Sequence, residues 1–578
     1  MDANKKSIND ILNGNRILEI PFFQRSYVWK EEQWKRMLSD MERVSETNKE
    51  YFMGSLILKQ LLTTASASSG DRRIVIDGQQ RLTTLALLFK ALSLKMNNPA
   101  VVSPFYLRFV TPETLCIIHN YNDKQSFEKI MSLKESVDID ENSNGIEKAF
   151  GFFYQHIDVN KLNFQRILDK LTFVGIDLLA NDNEQQIFDT INSLGVKLST
   201  GELLKNRFFD QSKIDFYEKT WKNVFESDED CLKYWNTNVT IGRNSVSMMD
   251  NFLYSFLQIK MHDPRLKDVV NAEKKKEYRK FDNLIESYDD LLAISKMDIY
   301  SFVCEMTDYA VIFKERFNQS VLMGESLSAD SCLDRMLVVI YGLDVMTARP
   351  FLLYIEKNVE QEEERNKMYA YLEAYLVRRF ICRSKNNNYS DLFTENMIGQ
   401  GINTFEKLKK YIEDKKTEDA LSLPSDEALK IGFKDSKMNS NTKAKTVLYL
   451  MESKIRDDDK QSTKLLPFSS YTLEHLMPKK WRNNWNIPEL SSKAAATRDE
   501  KILTMGNFAI ISGSLNSAIS DDEWKLKLSG KGKNKGLEYY SSGIETMNDV
   551  CKQKKWDEKK IEKRAEWLAE KALSIWAV

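Results

Sequence analysis

Residues 73–96 read RIVIDGQQRLTTLALLFKALSLKM. Arg73-Ile74-Val75-Ile76 is rich in β-branched residues and predicts a buried strand. The apolar run from Leu82 onward is long enough to predict a helix. Asp77-Gly78 between them is a tight-turn pair. This order places Asp77, Gly78, Gln79, Gln80 and Arg81 at a helix N-terminus, where exposed backbone N–H groups favour anions. Gly78 permits close backbone approach, Arg81 can pair with phosphate, and Asp77 can hold a metal or polarise water. Gln79, Gln80, Thr83 and Thr84 can supply hydrogen bonds. The chemistry suits a phosphate, although no GxxxxGK[ST] sequence occurs here. A solvated strand-to-helix turn with an aspartate cap would use the same residues.

Working outward, IPFFQRSYVW (20–29) brackets Gln24 and Arg25 with Phe22, Phe23, Tyr27 and Trp29. Aromatic platforms beside an arginine suit a nucleotide base and phosphate. An aromatic core with a snorkelling arginine fits equally. EEQWKRMLSDMERV predicts a helix and MGSLILKQLL a strand, so the first hundred residues read as mixed α/β. From 111 to 455 apolar residues recur at three- and four-residue spacings, which predicts a largely α-helical middle, with one strand at LTFVGIDLL (171–179). KMNSNTKAKT (437–446) is polar and predicts a surface connection. The resulting division is 1–110, 111–455 and 456–578.

Hydrophobic residues make up 42% and charged residues 29%, as in a globular protein, and Gly (21) and Pro (10) are sparse, which favours helices. The net charge of −1 gives no global attraction to nucleic acid. The charge is uneven: from Gln461 onward 20 Lys+Arg stand against 15 Asp+Glu, net +5, which leaves −6 for the rest. The six cysteines form no CxxC pair and predict reduced thiols, which suits a cytoplasmic location. MDANKKSINDILNGN has no apolar h-region, and no apolar run has transmembrane length, so neither a secretory signal nor a membrane partner is expected.

The positive segment contains YTLEHLMP (471–478), with one of the chain's four histidines. Asn507 follows Gly506, and Asn516 follows Leu515. A neutral imidazole at His475 can take a proton from water, because its pKa lies near working pH. A hard cation, Mg²⁺ or Mn²⁺, binds oxygen ligands and keeps several waters, so Glu474 and Asn516 can suffice as metal ligands. Asn507 can fix the histidine through its amide. The spacing predicts strand, loop, strand, turn, helix. Downstream, KLKLSGKGKNKGLEYYSSG carries Lys525, Lys527, Lys531, Lys533 and Lys535 on a glycine-containing loop that can track a phosphate backbone. A histidine in a surface turn and a solvated lysine loop are the plain alternatives.

IPFFQRSYVW, GSLIL and VIDGQQRLTTL, in that order, resemble the N-terminal domain of GmrSD-like modification-dependent (type IV) restriction enzymes. IFDTINSLGVKLSTGELLKNRFF (187–209) and YLEAYLVRRFIC (371–382) are similar to further segments of that family. EHLMP, GNFAII and the Leu515-Asn516 segment, with Trp524-Lys525 where a phenylalanine-lysine stretch falls, resemble its C-terminal HNH nuclease module. The third metal position is Asn rather than His, which that family also shows.

The resemblance implies a ParB/sulfiredoxin-like α/β N-terminal domain, a helical middle and a C-terminal ββα-metal (HNH) module. It implies nucleotide contacts at Asp77, Gln79, Gln80 and Arg81, with Gln24 and Arg25 beside them and with Asn192, Lys205 and Asn206 as further candidates; Gly78 and Thr83 join them from the turn itself. His475, Asn507 and Asp77 become the catalytic candidates. The implied activity is a nucleotide-regulated, metal-dependent DNA endonuclease or nickase in anti-phage defence. Its partners are double-stranded, modified DNA and a nucleoside triphosphate, with GTP the leading choice, and a homo-oligomer stays open. A ParB-like switch that binds DNA without cutting it, and an HNH-type RNase toxin, are compatible with the same residues.

Overall fold

The computed structural model describes residues 2–12, 15–21, 24, 26–61, 71–108, 113–135, 143–179, 199–209, 211–241, 244–317, 319–324, 326–415, 420–456, 464–485, 490–540 and 543–578. They form two compact units, Met1–Lys222 and Asn223–Val578. Elements of the segment 111–455 therefore enter both units. Among the described residues no helix is long and apolar enough to cross a membrane. All six cysteines are free thiols.

The first unit is built on a mixed sheet of β1 (Asp2–Ser7), β2 (Ile17–Glu19), β3 (Tyr51–Gln60), β4 (Arg72–Asp77), β5 (Ile117–Ile118) and β6 (Leu171–Leu178), in the order β1-β6-β3-β4-β2-β5. β3 pairs in parallel with β6 and antiparallel with β4. The β3–β4 register is irregular between Ile57 and Leu58, and Ile57 lies opposite Asp77, so the ladder is distorted where the turn begins. The helix Gln79–Lys95 follows at once. Leu82, Leu85, Leu88, Phe89 and Leu92 are buried on all its sides, as expected of a helix that is apolar all round. Trp34, Met37, Phe150 and Phe153 from flanking helices share this core. The expected mixed α/β character and the strand at 171–179 are both present.

The second unit is mainly helical. Its helix Glu362–Ile381 carries Arg378 and Arg379, both buried. Arg378 donates to Trp576 O at 2.9 Å and Asp426 Oδ1 at 2.7 Å. Arg379 donates to Ser422 O and Ala420 O, each at 2.8 Å. The arginine pair thus binds carbonyls and a carboxylate of its own unit. The polar stretch 437–446 is a correction. Ser440 caps the helix Asn441–Ile455, and Ala444, Val447, Leu448 and Met451 are buried. The helix starts inside the polar stretch because the apolar spacing begins at Ala444.

Three strand pairs complete the sheets of the described residues. In the second unit β7 (Asn238–Ile241) pairs with β8 (Asn244–Ser247), and β9 (Tyr471–His475) pairs antiparallel with β10 (Phe508–Ser512). β11 (Gly530–Lys531) and β12 (Asn534–Lys535) form a short hairpin.

Candidate functional site

In the first unit the turn after β4 depends on two glycines. Gly78 has φ 102°, which L side chains rarely adopt, and a Cβ there would meet Leu56 Cδ1 at 2.6 Å. Gly54 has φ 111°, and a Cβ there would meet Arg81 Nη1 at 2.6 Å. The Arg81 guanidinium lies over this bare backbone. It donates to Ser55 O at 2.7 Å and to Asp77 Oδ2 at 2.8 Å, while Ser55 Oγ donates to the same carboxylate at 3.2 Å. Asp77 and Arg81 are both partly exposed. Arg81 lines a cavity of about 340 Å³ with Trp29, Arg36, Tyr51, Met53 and Gly54.

The neighbouring motif side chains face inward. Gln80 accepts from Val28 N at 3.0 Å and donates to Ser26 O at 3.3 Å. Thr83 Oγ1 donates to Gln79 O and pairs with His119 Nε2, both at 2.8 Å. Tyr27 OH meets Thr84 Oγ1 at 2.6 Å and accepts from Trp34 Nε1 at 2.9 Å. Asp123 Oδ2 accepts from Tyr27 N at 2.6 Å and Asn120 Nδ2 at 3.1 Å. Gln80 and Thr83, read as ligand contacts, are corrected on this point. Their polar atoms hold the 26–28 and 119–123 segments against the helix. Gln24 and Gln79 are buried as well.

His119 is buried, with Nδ1 making no hydrogen bond and lying 3.8 Å from Asp123 Oδ2; burial pushes the imidazole down to about 3, so it stays neutral. His119, Asn120, Asp123 and Gly54 were missed in sequence because they meet the motif only through the fold. The segment IHNYND carries no catalytic spacing.

Lys205 and Asn206 lie on the helix Thr200–Phe208, capped by Ser199 and Glu202. Lys205 is buried, with its ammonium 5.9 Å from the Tyr217 ring centre. Tyr217 packs edge-on against Tyr121 of the 119–123 segment. That chain of contacts leads toward the turn without placing Lys205 on it. Arg25, Asn192, Phe22 and Phe23 lie outside the described residues.

In the second unit His475 ends β9 opposite Phe508 of β10, with Glu474 opposite Ala509. The imidazole packs edge-on against the Phe508 ring at 4.8 Å, and its buried Nε2 has no hydrogen-bond partner. Burial, with Lys479 and Lys527 nearby, pushes the imidazole down to about 3, so it is neutral at physiological pH.

Glu474 is 6% exposed and forms an ion pair with Lys527, whose side chain is fully buried. Lys527 also donates to His475 O at 3.1 Å. Burial raises the Glu474 pKa; Lys527 opposes that shift, and Asp521 nearby adds to it. Asn516 donates to Thr472 Oγ1 at 3.0 Å and Leu473 O at 3.2 Å, which fixes its amide beside the same strand. Among the described residues no group of three or more His, Cys, Asp and Glu could hold a metal.

Two site expectations are corrected here. Asn507 is fully buried and uses its whole amide internally. Oδ1 accepts from Met477 N at 2.8 Å and Trp556 Nε1 at 3.1 Å, and Nδ2 donates to Met477 O at 2.8 Å and Ile502 O at 3.0 Å. It clamps the backbone after His475 and does not bind the ring. Lys527 is no backbone-tracking lysine, because it is buried on Glu474. Lys525, Lys531, Lys533 and Lys535 are exposed, the last three on the β11–β12 hairpin. Lys535 lies 3.2 Å from the centre of the exposed Tyr539 ring. Lys479, exposed and close enough to act on His475, was not singled out in sequence.

The family model described as GmrSD restriction endonuclease, N-terminal domain, matches residues 8–209. The model for the C-terminal domain of GmrSD restriction endonucleases matches residues 423–571. The chain belongs to the GmrSD-like type IV restriction enzymes. The first match contains the Asp77–Arg81 turn, and the second contains Glu474, His475 and Asn516. An uncharacterised protein of Methanocaldococcus jannaschii is 23% identical to this GmrSD-family chain over 343 residues, covering 52% of this chain and 55% of that protein. The chain thus spans about half the length of the curated relative it matches.

Proposed function

We propose that this GmrSD-family chain is a nucleotide-regulated, metal-dependent DNA endonuclease or nickase that restricts modified foreign DNA. The observation that carries the proposal is the pairing of a neutral, unpartnered imidazole with a buried carboxylate on one strand, inside the segment matched by the family's C-terminal domain. In this reading β9, β10 and the helix Gly513–Ile519 make an HNH-type ββα-metal module, and the first unit is a ParB/sulfiredoxin-like nucleotide domain with NTPase activity.

A divalent cation at Glu474 competes with the Lys527 ammonium for that carboxylate, so metal binding requires the lysine to swing aside, while Asp521 adds negative charge nearby. Glu474 and the Asn516 amide oxygen would hold Mg²⁺ or Mn²⁺, which supplies charge stabilisation at the phosphate and the leaving oxygen. His475 Nε2 accepts the proton of the attacking water. A phosphate nearby favours the imidazolium and so assists that proton transfer. Asn507 sets the course of the chain after His475. Exposed Lys525, Lys531, Lys533 and Lys535 hold the DNA backbone without reading sequence. In the first unit, Arg81 and Asp77 face the nucleotide beside Trp29.

A second reading is a nucleotide-switched DNA-binding protein without cleavage. It is favoured by the Lys527 ammonium, which already neutralises Glu474. The deciding experiment is cleavage of supercoiled plasmid with Mg²⁺ or Mn²⁺, with and without GTP, by wild type and His475→Ala. Modified and unmodified DNA are run side by side, with RNA as a control. Metal-dependent nicking of modified DNA, lost in His475→Ala, is expected. No cleavage in any condition favours the second reading, and digestion of RNA in place of DNA makes the protein an RNase.

A further inference from the structure

The second unit contains another cavity, of about 580 Å³, between the helix Glu558–Ile575 and residues 545–553. That volume lies in the range of small-molecule sites, roughly 300–1,000 Å³. Lys552, Lys560, Lys563, Arg564 and Lys571 line it, against two acids, Glu545 and Asp549. Asp549 is paired with Lys552 at 3.2 Å, and Glu545 accepts from Asn548 Nδ2 at 2.8 Å. Among the described residues Lys560, Lys563 and Lys571 form no ion pair with a carboxylate. Trp556 and Trp567 form part of the wall, with Lys571 5.8 Å from the Trp567 ring centre.

Arg564 gives the cavity a built polar site. It is 7% exposed. Its Nη1 donates to Gly506 O at 2.9 Å and Phe508 O at 2.5 Å, and its Nη2 to Thr546 O at 3.3 Å. Every one of these acceptors is a neutral carbonyl. Nε is buried and has no partner. Burial lowers the guanidinium pKa to about 10. A buried cation with an unsatisfied N–H and no paired carboxylate is costly, and an anion in the adjoining cavity relieves the cost electrostatically.

We propose that this cavity binds a nucleoside phosphate, with its phosphate on Arg564, Lys560 and Lys563 and its base against Trp567. The volume exceeds what a lone phosphate fills, and an aromatic wall beside an arginine suits a planar ring with an anionic tail. The site also touches the strand pair that carries His475. Arg564 holds the carbonyls on either side of Asn507, and Trp556 donates to Asn507 Oδ1. Asn507 in turn holds Met477, two residues past His475. Occupancy therefore bears on the geometry of β9 and β10, and control of cleavage by this ligand rests on the endonuclease reading above.

The test uses the full chain in an Arg81→Ala background, which disables the turn in the first unit. GTP, GMP, guanosine and inorganic phosphate are titrated by calorimetry, with and without Lys563→Glu/Lys571→Glu, and separately with Trp567→Ala. Nucleotide binding that persists in Arg81→Ala and weakens at least tenfold in the lysine variant is expected. Trp567→Ala should weaken GMP and leave inorganic phosphate unchanged. No nucleotide binding in Arg81→Ala, or binding indifferent to the lysine variant, overturns the proposal. Weakened binding of duplex DNA with no nucleotide binding makes the lysines a DNA track and also overturns it. Because the readout is binding, failure of the endonuclease reading would leave the result interpretable.

Discussion

Replacing Lys527 by methionine should destabilise the second unit in a strongly pH-dependent way. The substitution keeps the length of the side chain but removes the charge, and it leaves the Glu474 carboxylate buried without its cation. Breaking a buried ion pair on one side costs about 3–5 kcal/mol. The loss has a ceiling, because Glu474 can escape by taking a proton. Burial already raises its pKa, so in the variant protonation becomes the favoured route. Holding the proton costs about 1.4 kcal/mol per pH unit above the unfolded value of about 4.3, hence about 5 kcal/mol at pH 8 and about 1 kcal/mol at pH 5. The sign follows: a raised carboxylate pKa means that stability falls as pH rises. Urea unfolding followed by tryptophan fluorescence at both pH values measures the effect. Lys527→Met/Glu474→Gln should recover most of the loss at pH 8, giving a coupling of about 2–4 kcal/mol in the double-mutant cycle. A Lys527→Met cost below about 1 kcal/mol at pH 8, or one equal at both pH values, would refute a buried, coupled pair.

Asn507→Ala strands Met477 N and Trp556 Nε1 in the interior, and should cost about 3 kcal/mol in the same unfolding assay. Its cleavage loss should follow unfolding, with DNA affinity retained at low temperature. His119, with a folded pKa of about 3 against an ordinary 6.5, binds fewer protons folded than unfolded between those values. Its contribution is intact above pH 6.5 and falls by about 2 kcal/mol at pH 5. His119→Gln should therefore narrow the pH 8 to pH 5 stability gap of the first unit by about that amount. The triple variant Lys531→Glu/Lys533→Glu/Lys535→Glu should weaken DNA binding evenly across sequences. Its salt slope should flatten by about 3, at roughly 0.9 for each phosphate no longer neutralised, in fluorescence anisotropy between about 50 and 200 mM salt. An unchanged slope would remove the hairpin from the DNA interface.

The sequence by itself carried the local elements and their order. The β-branched run before Asp77-Gly78, the apolar run after it, and the short stretches YTLEH and FAIIS are short-range patterns, and the strands and helix they predict are present. It also carried the turn at Gly78, whose positive φ requires a glycine. What the side chains face was decided by tertiary structure. Gln80, Thr83 and Asn507 are polar and sit in the motifs, yet the fold turns their atoms to buried partners, since a buried polar group must be satisfied. Lys527 sits among exposed lysines in sequence, but the helical phase of Trp524–Ser529 sends it inward to Glu474. The contacts of His119 with Thr83, and of Arg564 with the carbonyls flanking Asn507, join residues 36 and more than 50 positions apart. No local pattern encodes such pairs, because they exist only once the sheet and the helices have packed.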